Sequence, residues 1–457
     1  MTGHIRPGDR WLRLSAWLRN HRLARALYRP LPRAWREKAS SAMAGGVVGA
    51  LRFPRTAAWA DPGVPTTAGA ALPIPPADGN GINLFGHLSG EFGLAEVARA
   101  YARALLVSGI PVALVDVGQA GNGADPMLAP FHDDSAPHAV NLLCTNPDDF
   151  DQVLAAIGPD RLMGRPLLAS WFWELETIPG QWQAQIAKVD GIVVATAFIQ
   201  QAFARATDKP LFHVPVPMRL PLASGLQRED FGLDPSRFLF LYSFDFNSWM
   251  QRKHPLAIIE AFRAAFPAED PSVQLLIKTS HGHRHPEQLQ MLLRAAGEDA
   301  RILVRDDLIA PAHVAALQRC CDAFVSLHRS EGLGLGMAEC MAIGKPVIAT
   351  AWSGNLDFMS ADNSVLIDSH LIPVQPGDYV GDLDARWAEP DIAQAARAMR
   401  LLRDQPALAQ ALGARAREQV LGTLSPEACA AGMNKAISSM IERNSLPGDR
   451  YSQSRVS

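Results

Sequence analysis

The sequence predicts an α/β protein of two lobes, each a parallel sheet wrapped in helices, and three observations carry that prediction. The chain has 457 residues, more than one hydrophobic core usually serves, so two domains are expected. Short apolar runs suited to buried strands alternate with helical patterns along most of it, the order that builds parallel sheets. Glycine-rich turns join strand to helix at residues 86–93 and 332–336, and ligands of such sheets gather beyond the strand ends.

Composition narrows the function. Hydrophobic residues make up 48% and charged residues 19%, the balance of a globular enzyme, and no run approaches the roughly 18 apolar residues that cross a bilayer. Cys144, Cys320, Cys321, Cys340 and Cys429 lack metal-ligand spacing, which suits a reducing cytoplasm. The net charge of −3 divides unevenly, +8 over residues 1–40 and −11 over the rest. That front segment is a candidate for membrane contact. Residues 11–38 put Trp11, Leu14, Trp17 and Leu18 together on a helix, with Arg13, Arg19, Arg22 and Arg25 as cations, and such a helix can lie on an anionic leaflet. The same pattern suits an extension packed on the body. A linker is expected over Pro54–Pro76.

The first lobe is expected to begin at Gly81, with GINLF as a strand and GHLSGEFG as its glycine-rich turn. Leu94, Val97, Ala98, Tyr101 and Leu105 then recur at helical spacing, and PVALVDV is the next strand, a βαβ start. Gly90, Glu91, Phe92 and Gly93 would touch an acceptor or a donor phosphate; a ligand-free tight connection fits the pattern equally. Strands follow at 140–143, 167–173, 192–195 and 211–214, with helices at 147–156, 180–188 and 197–204. In WFWELE, residues 171–176, Glu174 is a candidate to orient an acceptor hydroxyl or act as a base beside sugar-stacking tryptophans. Trp171 and Trp173 at strand spacing also suit a core.

Pro215–Arg228 reads as the interlobe linker, and FLFLYSF, 238–244, opens the second lobe. Arg252 and Lys253 precede a helix that Pro255 can start. Fixed cations there would stabilise a departing nucleoside diphosphate, with Lys253 the better placed because a point charge tolerates approximate geometry. Lys278, at the end of the strand 275–280, is a further cleft candidate. HGHRHP, 281–286, alternates histidines in a short loop with no acidic or cysteine partner nearby, a poor metal site, and reads as surface loop. The two D-x-D matches, Asp149–Asp151 and Asp382–Asp384, are discounted as chance.

The stretch Asp322–Asp357 reads as strand (323–327), glycine turn, helix (337–343), strand and a second turn. Gly332, Gly334 and Gly336 let backbone amides approach a phosphate at the positive end of the helix. Glu331 and Glu339 bracket that turn, and carboxylates there suit the vicinal hydroxyls of ribose or a hexose. A nucleotide sugar offers both chemistries. After 357 come a strand at 364–368, a polar segment ending in WAEP, and helices at 392–402, 408–420 and 425–441.

Glu331 and Glu339 with seven residues between them resemble the E-x7-E donor signature of retaining GT-B glycosyltransferases of the family 4 type. GKPVIAT, SGNLDF and RKHP are similar to that family's pattern as well, and the resemblance spans about residues 81–440. It implies two facing Rossmann-like lobes behind an N-terminal helical extension. Residues 1–80 would be extension and linker, 81–228 the acceptor lobe, 229–422 the nucleotide-sugar lobe, and 423–457 a closing helix that crosses back, with a tail. It further implies Glu331 near the donor sugar, Glu339 on the ribose, Arg252 and Lys253 on the diphosphate, and Gly354, Asn355 and Asp357 lining the donor pocket. Transfer would retain configuration and need no metal or other cofactor. The expected partners are a nucleotide sugar of the GDP-mannose or UDP-glucose type and a glycan or lipid-linked acceptor, not nucleic acid, in polysaccharide biosynthesis at the inner face of a membrane. A noncatalytic glycan-binding partner, a phosphorylase and a nucleotide-sugar epimerase on the same lobes are the rival readings.

Overall fold

The computed structural model describes residues 72–75, 80–90, 93–118, 125–162, 164–218, 220, 222–380 and 384–445. The basic segment 11–38, most of the expected linker at 54–76, Glu91, Phe92, Asp382 and the tail from 446 lie outside them.

The first lobe runs β1 (Ile82–Gly86), α1 (Gly93–Val107), β2 (Val112–Asp116), β3 (Val140–Cys144), α2 (Pro147–Ile157), α3 (Pro159–Leu162), β4 (Leu167–Ser170), α4 (Gln183–Lys188), β5 (Gly191–Val194), α5 (Ala197–Ala204) and β6 (Leu211–His213). Its strands form one parallel sheet in the order β2-β1-β3-β4-β5-β6. The second lobe runs β7 (Phe238–Asp245), α6 (Met250–Lys253), α7 (Pro255–Ala265), β8 (Val273–Ser280), α8 (Pro286–Ala296), β9 (Ile302–Asp306), α9 (Pro311–Cys320), β10 (Ala323–Ser326), α10 (Leu335–Ala342), β11 (Val347–Thr350) and β12 (Val365–Ile367). This sheet is also parallel, in the order β12-β11-β10-β7-β8-β9. An antiparallel hairpin, β13 (Ser369–Pro373) and β14 (Arg386–Pro390), precedes α11 (Ile392–Asp404), α12 (Pro406–Thr423) and α13 (Pro426–Ser445).

Periodicity explains how the elements seat. Val97, Ala98, Tyr101, Ala102 and Leu105 fall on the buried side of α1, as helical spacing requires. In β7, Phe238, Phe240, Tyr242 and Phe244 recur every second residue and so share one face; Phe240 meets Phe262 of α7 edge-on, the ring centroids 6.2 Å apart. The last helix returns to the first lobe. α13 packs against α1, and its Gly432 lies so close to His213 that an added Cβ would stand 2.8 Å from that residue's carbonyl oxygen.

Three local readings need correction. The strand expected over 167–173 stops at Ser170; of the two readings of Trp171 and Trp173, the core one matches their 0% and 3% exposure. RKHP does not simply enter a helix: Arg252 and Lys253 sit in their own one-turn helix, which His254 ends in the left-handed conformation. The polar segment ending in WAEP holds a hairpin, with WAEP in its second strand. Among the described residues no helix is long and apolar enough to cross a membrane.

Candidate active site

β7 and β10 are neighbours in the second sheet, yet the chain runs from β7 outward to β8 and β9, and from β10 outward the other way to β11 and β12. Loops leaving two such strands diverge, and the crevice between them is where open α/β sheets bind ligands. Arg252 and Lys253 follow β7; Glu331 follows β10. They meet there. Lys253 Nζ lies 2.5 Å from Glu331 Oε1 and Arg252 Nη1 lies 3.0 Å from Glu331 Oε2, so each carboxylate oxygen has its own cation. Arg252 also donates to the Ser330 carbonyl at 2.8 Å. Tyr242, at the floor of the crevice, donates to the Lys253 carbonyl at 2.7 Å.

The first lobe adds a second acid. Glu174, from the segment after β4, is 3.6 Å from Arg252 Nη2 and accepts from the Tyr379 hydroxyl at 2.5 Å. Ser330 donates to the Glu174 carbonyl. Gly332 is pressed against this segment: a Cβ there would lie 3.2 Å from the Trp173 carbonyl oxygen. Four of the predicted residues, Glu174, Arg252, Lys253 and Glu331, therefore share one cluster at the seam between the lobes.

Their electrostatics follow from burial and pairing. Burial alone would raise the Glu331 pKa, but Lys253 and Arg252 outweigh it and hold the carboxyl at about 2. Burial lowers the Lys253 pKa, and Glu331 offsets that only in part because Arg252 repels the ammonium. Arg252 is pushed above its ordinary value by Glu331 and Glu174 despite an opposing burial effect. Lys253 also keeps 17% of its side chain open where Arg252 keeps 4%. The lysine is thus the cation free to turn to an incoming anion, while the arginine fixes the carboxylate.

Glu389 is held in the same way. Burial raises its pKa, and hydrogen bonds from His254 and Arg329 bring it to about 2. A carboxyl whose pKa is lower folded than unfolded adds stability above the ordinary carboxylate range and gives it up as pH falls toward 2. The melting temperature is accordingly expected to drop steeply between about pH 5 and pH 2. Thermal scans across that range should show a shallower drop for Glu331→Gln and Glu389→Gln; an equal drop in both variants would contradict the pairing.

The remaining predicted residues are distributed around this cluster. Gly334 caps α10 at φ 90, a conformation L residues avoid, and Gly336 lies in the helix's first turn. Glu339 stands one turn further on. Its carboxyl accepts from Gln318 at 2.6 Å, and burial raises its pKa, with Glu96 across the cleft in α1 adding to the rise. Glu339 thus faces the first turn of the helix that Gly93 begins. The Gly90 carbonyl accepts from Arg99 at 2.9 Å, and Asp116 accepts from the Leu88 and Ser89 amides, so this loop is fastened from both sides.

Four candidates sit elsewhere than expected. Lys278 donates to the carbonyls of Thr279 and Asp307 and turns toward β9, away from Glu331. Asn355 is 0% exposed and bonds to the Thr350 carbonyl and to His328, which leaves it no face toward a ligand. Asp357 accepts from the Ala197 amide at 2.9 Å and pairs with His213 at 3.1 Å; it fastens the second lobe to the start of α5. Gly354 is buried against the Gly332 backbone. These positions build the turn rather than line a pocket. Sequence reasoning passed over Ser330, Ser353, Tyr379 and Glu389; Ser330 adjoins the first glutamate, Ser353 opens SGNLDF and Glu389 lies in WAEP, while nothing in the sequence marked Tyr379. Ser353 accepts from the Glu331 amide at 2.8 Å. Among the described residues no group of three or more His, Cys, Asp or Glu side chains is placed to hold a metal ion.

Residues 238–378 match the family described as glycosyl transferases group 1. The trehalose synthase of Pyrococcus horikoshii is 28% identical over 197 residues, 42% of this chain and 41% of that protein. The chain spans less than half the length of the curated relatives it matches. Among solved structures, Anabaena HepE in complex with UDP-glucose aligns at a TM-score of 0.54 and 15% identity, over 78% of this chain and 99% of that one. The sucrose-phosphate synthase of Thermosynechococcus elongatus aligns at 0.54 and 18% identity, over 79% and 99%. At such identities these likenesses show the fold, two Rossmann-like lobes in the GT-B arrangement.

Proposed function

We propose, from the match of residues 238–378 to the glycosyl transferases group 1 family and the GT-B scaffold, that this chain moves a sugar from a nucleotide sugar to an acceptor. One observation carries the reading: a lysine and an arginine after one strand and a glutamate after its neighbour converge at the point where the sheet's connections reverse. In the free state the cations are spent on Glu331. A bound diphosphate would draw Lys253 from that carboxylate, and the freed oxygen could then accept a sugar hydroxyl while Arg252 holds the other. As the glycosidic bond breaks, charge grows on the diphosphate, and a preplaced ammonium favours that state over the ground state. The mechanism therefore asks nothing of a metal.

Glu174 comes from the lobe that would hold the acceptor, beside the same cluster, and is placed to orient the attacking hydroxyl. Glu339 would take the ribose. A hexose on UDP is the first donor to test, since HepE is described in complex with UDP and glucose; GDP-mannose remains in the panel. Retention of configuration and a glycan or lipid-linked acceptor complete the proposal, with a role in polysaccharide assembly.

The test incubates the full chain with a panel of nucleotide sugars, with and without glycan acceptors, and follows nucleoside diphosphate release and product. Acceptor-dependent release that falls about a hundredfold in Glu331→Gln is expected. Conversion of the nucleotide sugar to its epimer without acceptor, or no turnover of any donor, would overturn it.

A further inference from the structure

Resting on the reading of Arg252 and Lys253 as the cations of the donor site, we propose that the β13–β14 hairpin is a brace that sets their position, with Glu389 as its positioning residue. The one-turn helix α6 that carries both cations is bracketed by two non-glycine residues at positive φ, Trp249 at 65° and His254 at 50°. L residues adopt such angles rarely, and they persist where the surroundings hold them. The hairpin meets both. The Trp249 ring lies 5.7 Å from that of Tyr379 in the hairpin's loop. His254 Nε2 lies 3.2 Å from Glu389 Oε1 on β14.

The same carboxylate reaches the other wall of the crevice. Glu389 Oε2 accepts from Arg329 Nε at 2.7 Å, and the Arg329 amide donates to the Arg252 carbonyl at 2.8 Å. Arg329 is itself seated by the hairpin: its guanidinium lies 5.4 Å over the Trp387 ring, and its carbonyl accepts from the Ala388 amide at 2.9 Å. Glu389 therefore ties the residue after Lys253 to a residue two places before Glu331. Its carboxylate bonds to His254 and Arg329, one residue from Lys253 and two from Glu331, so its influence on a donor passes through the backbone. With the carboxylate removed, His254 loses the bond that keeps it left-handed, and the end of α6 can relax and carry the Lys253 ammonium off its mark.

The experiment titrates UDP and GDP calorimetrically into the full chain and its Glu389→Ala, Glu389→Gln, Arg386→Ala and Lys253→Ala variants, with melting temperatures recorded in parallel. Glu389→Ala is expected to weaken nucleoside diphosphate binding about tenfold or more. Glu389→Gln, which keeps one acceptor, should lose less. Arg386→Ala, on the same strand but bonded to the Leu371 carbonyl, should bind as the wild type does whatever its melting temperature. With a turned-over donor, Glu389→Ala should raise the donor KM while kcat changes far less, a split that general loosening would not give. Unchanged affinity in both Glu389 variants alongside a loss in Lys253→Ala would overturn the brace and leave the donor site standing. If the wild type binds neither UDP nor GDP, both fall together. Should Glu389→Ala fail to fold, Glu389→Gln decides.

Discussion

Lys253→Ala is expected to reduce transfer at saturating nucleotide sugar by about a hundred- to a thousand-fold while the protein stays folded. The two halves of that expectation have separate grounds. Glu331 is not stranded when the lysine goes, because Arg252 remains 3.0 Å from it and is fixed by the Ser330 carbonyl. The usual penalty for orphaning a buried carboxylate, about 3–5 kcal/mol, is thereby avoided. The charge on the leaving diphosphate has no such reserve, since Arg252 is almost wholly buried and already committed to two glutamates. Circular dichroism and turnover on the same preparation check both halves. Lys253→Arg should recover little, because a planar fork does not replace a compact ammonium in a space shaped for one. Turnover within about twofold of wild type in Lys253→Ala would remove the lysine from the reaction, being far short of the loss of one charge-stabilising donor.

The second large effect is structural. Gly354→Ala is expected to destabilise the protein by about 1–3 kcal/mol or more, as overpacking against an unyielding neighbour does. The added Cβ would stand 2.0 Å from the Gly332 carbonyl oxygen and 2.9 Å from that of Glu331, and both obstacles are backbone. Neither can step aside freely. The Gly332 carbonyl accepts from the Thr196 hydroxyl at 2.9 Å, and the Glu331 carbonyl accepts from the Gly354 amide at 2.9 Å. Relief of the clash must shift the segment that aims the Glu331 carboxylate, so binding of nucleoside diphosphates should weaken with stability. Urea unfolding measures the first effect, with Gly180→Ala as the control, since a Cβ there meets nothing within 4 Å. Equal stability of the two variants would contradict the close backbone packing.

Much of this was legible in the chain because the signals were local. The glycine turn at 332–336, the glutamates on either side of it and the basic pair before Pro255 each lie within one connection, and strand-turn-helix logic places such residues at a sheet end. The contact between Lys253 and Glu331 spans 78 positions, yet it follows once two strands with outward-running connections are taken as neighbours. What stayed hidden depended on partners far along the sequence. Asp357 looks the same in a turn whether it faces a ligand or the amide of Ala197, 160 residues away. Asn355 reads as a polar turn residue until the burial of His328 beside it is known. The β13–β14 hairpin escaped because prolines end both strands and no alternation of apolar and polar residues announces it. Lys278 misled for the opposite reason: its strand was read correctly, but only the register with β9 shows that Asp307 claims it.

The seam between the lobes carries its own lesson. Glu174 was singled out for its tryptophan neighbours, and those turned out to be core. Its position at the cluster comes instead from the loop after β4, which the second lobe grips through Ser330, Tyr379 and Arg252.

The most direct test of the donor site is a calorimetric titration of UDP and GDP into the full chain and into Lys253→Ala. A site formed by Lys253, Arg252 and Glu331 requires one of the two nucleotides to bind at a single site, with affinity reduced at least about tenfold in the variant, the share of one charge-assisted bond to a phosphate. Binding of equal strength to both proteins, or no binding to the wild type, would contradict it.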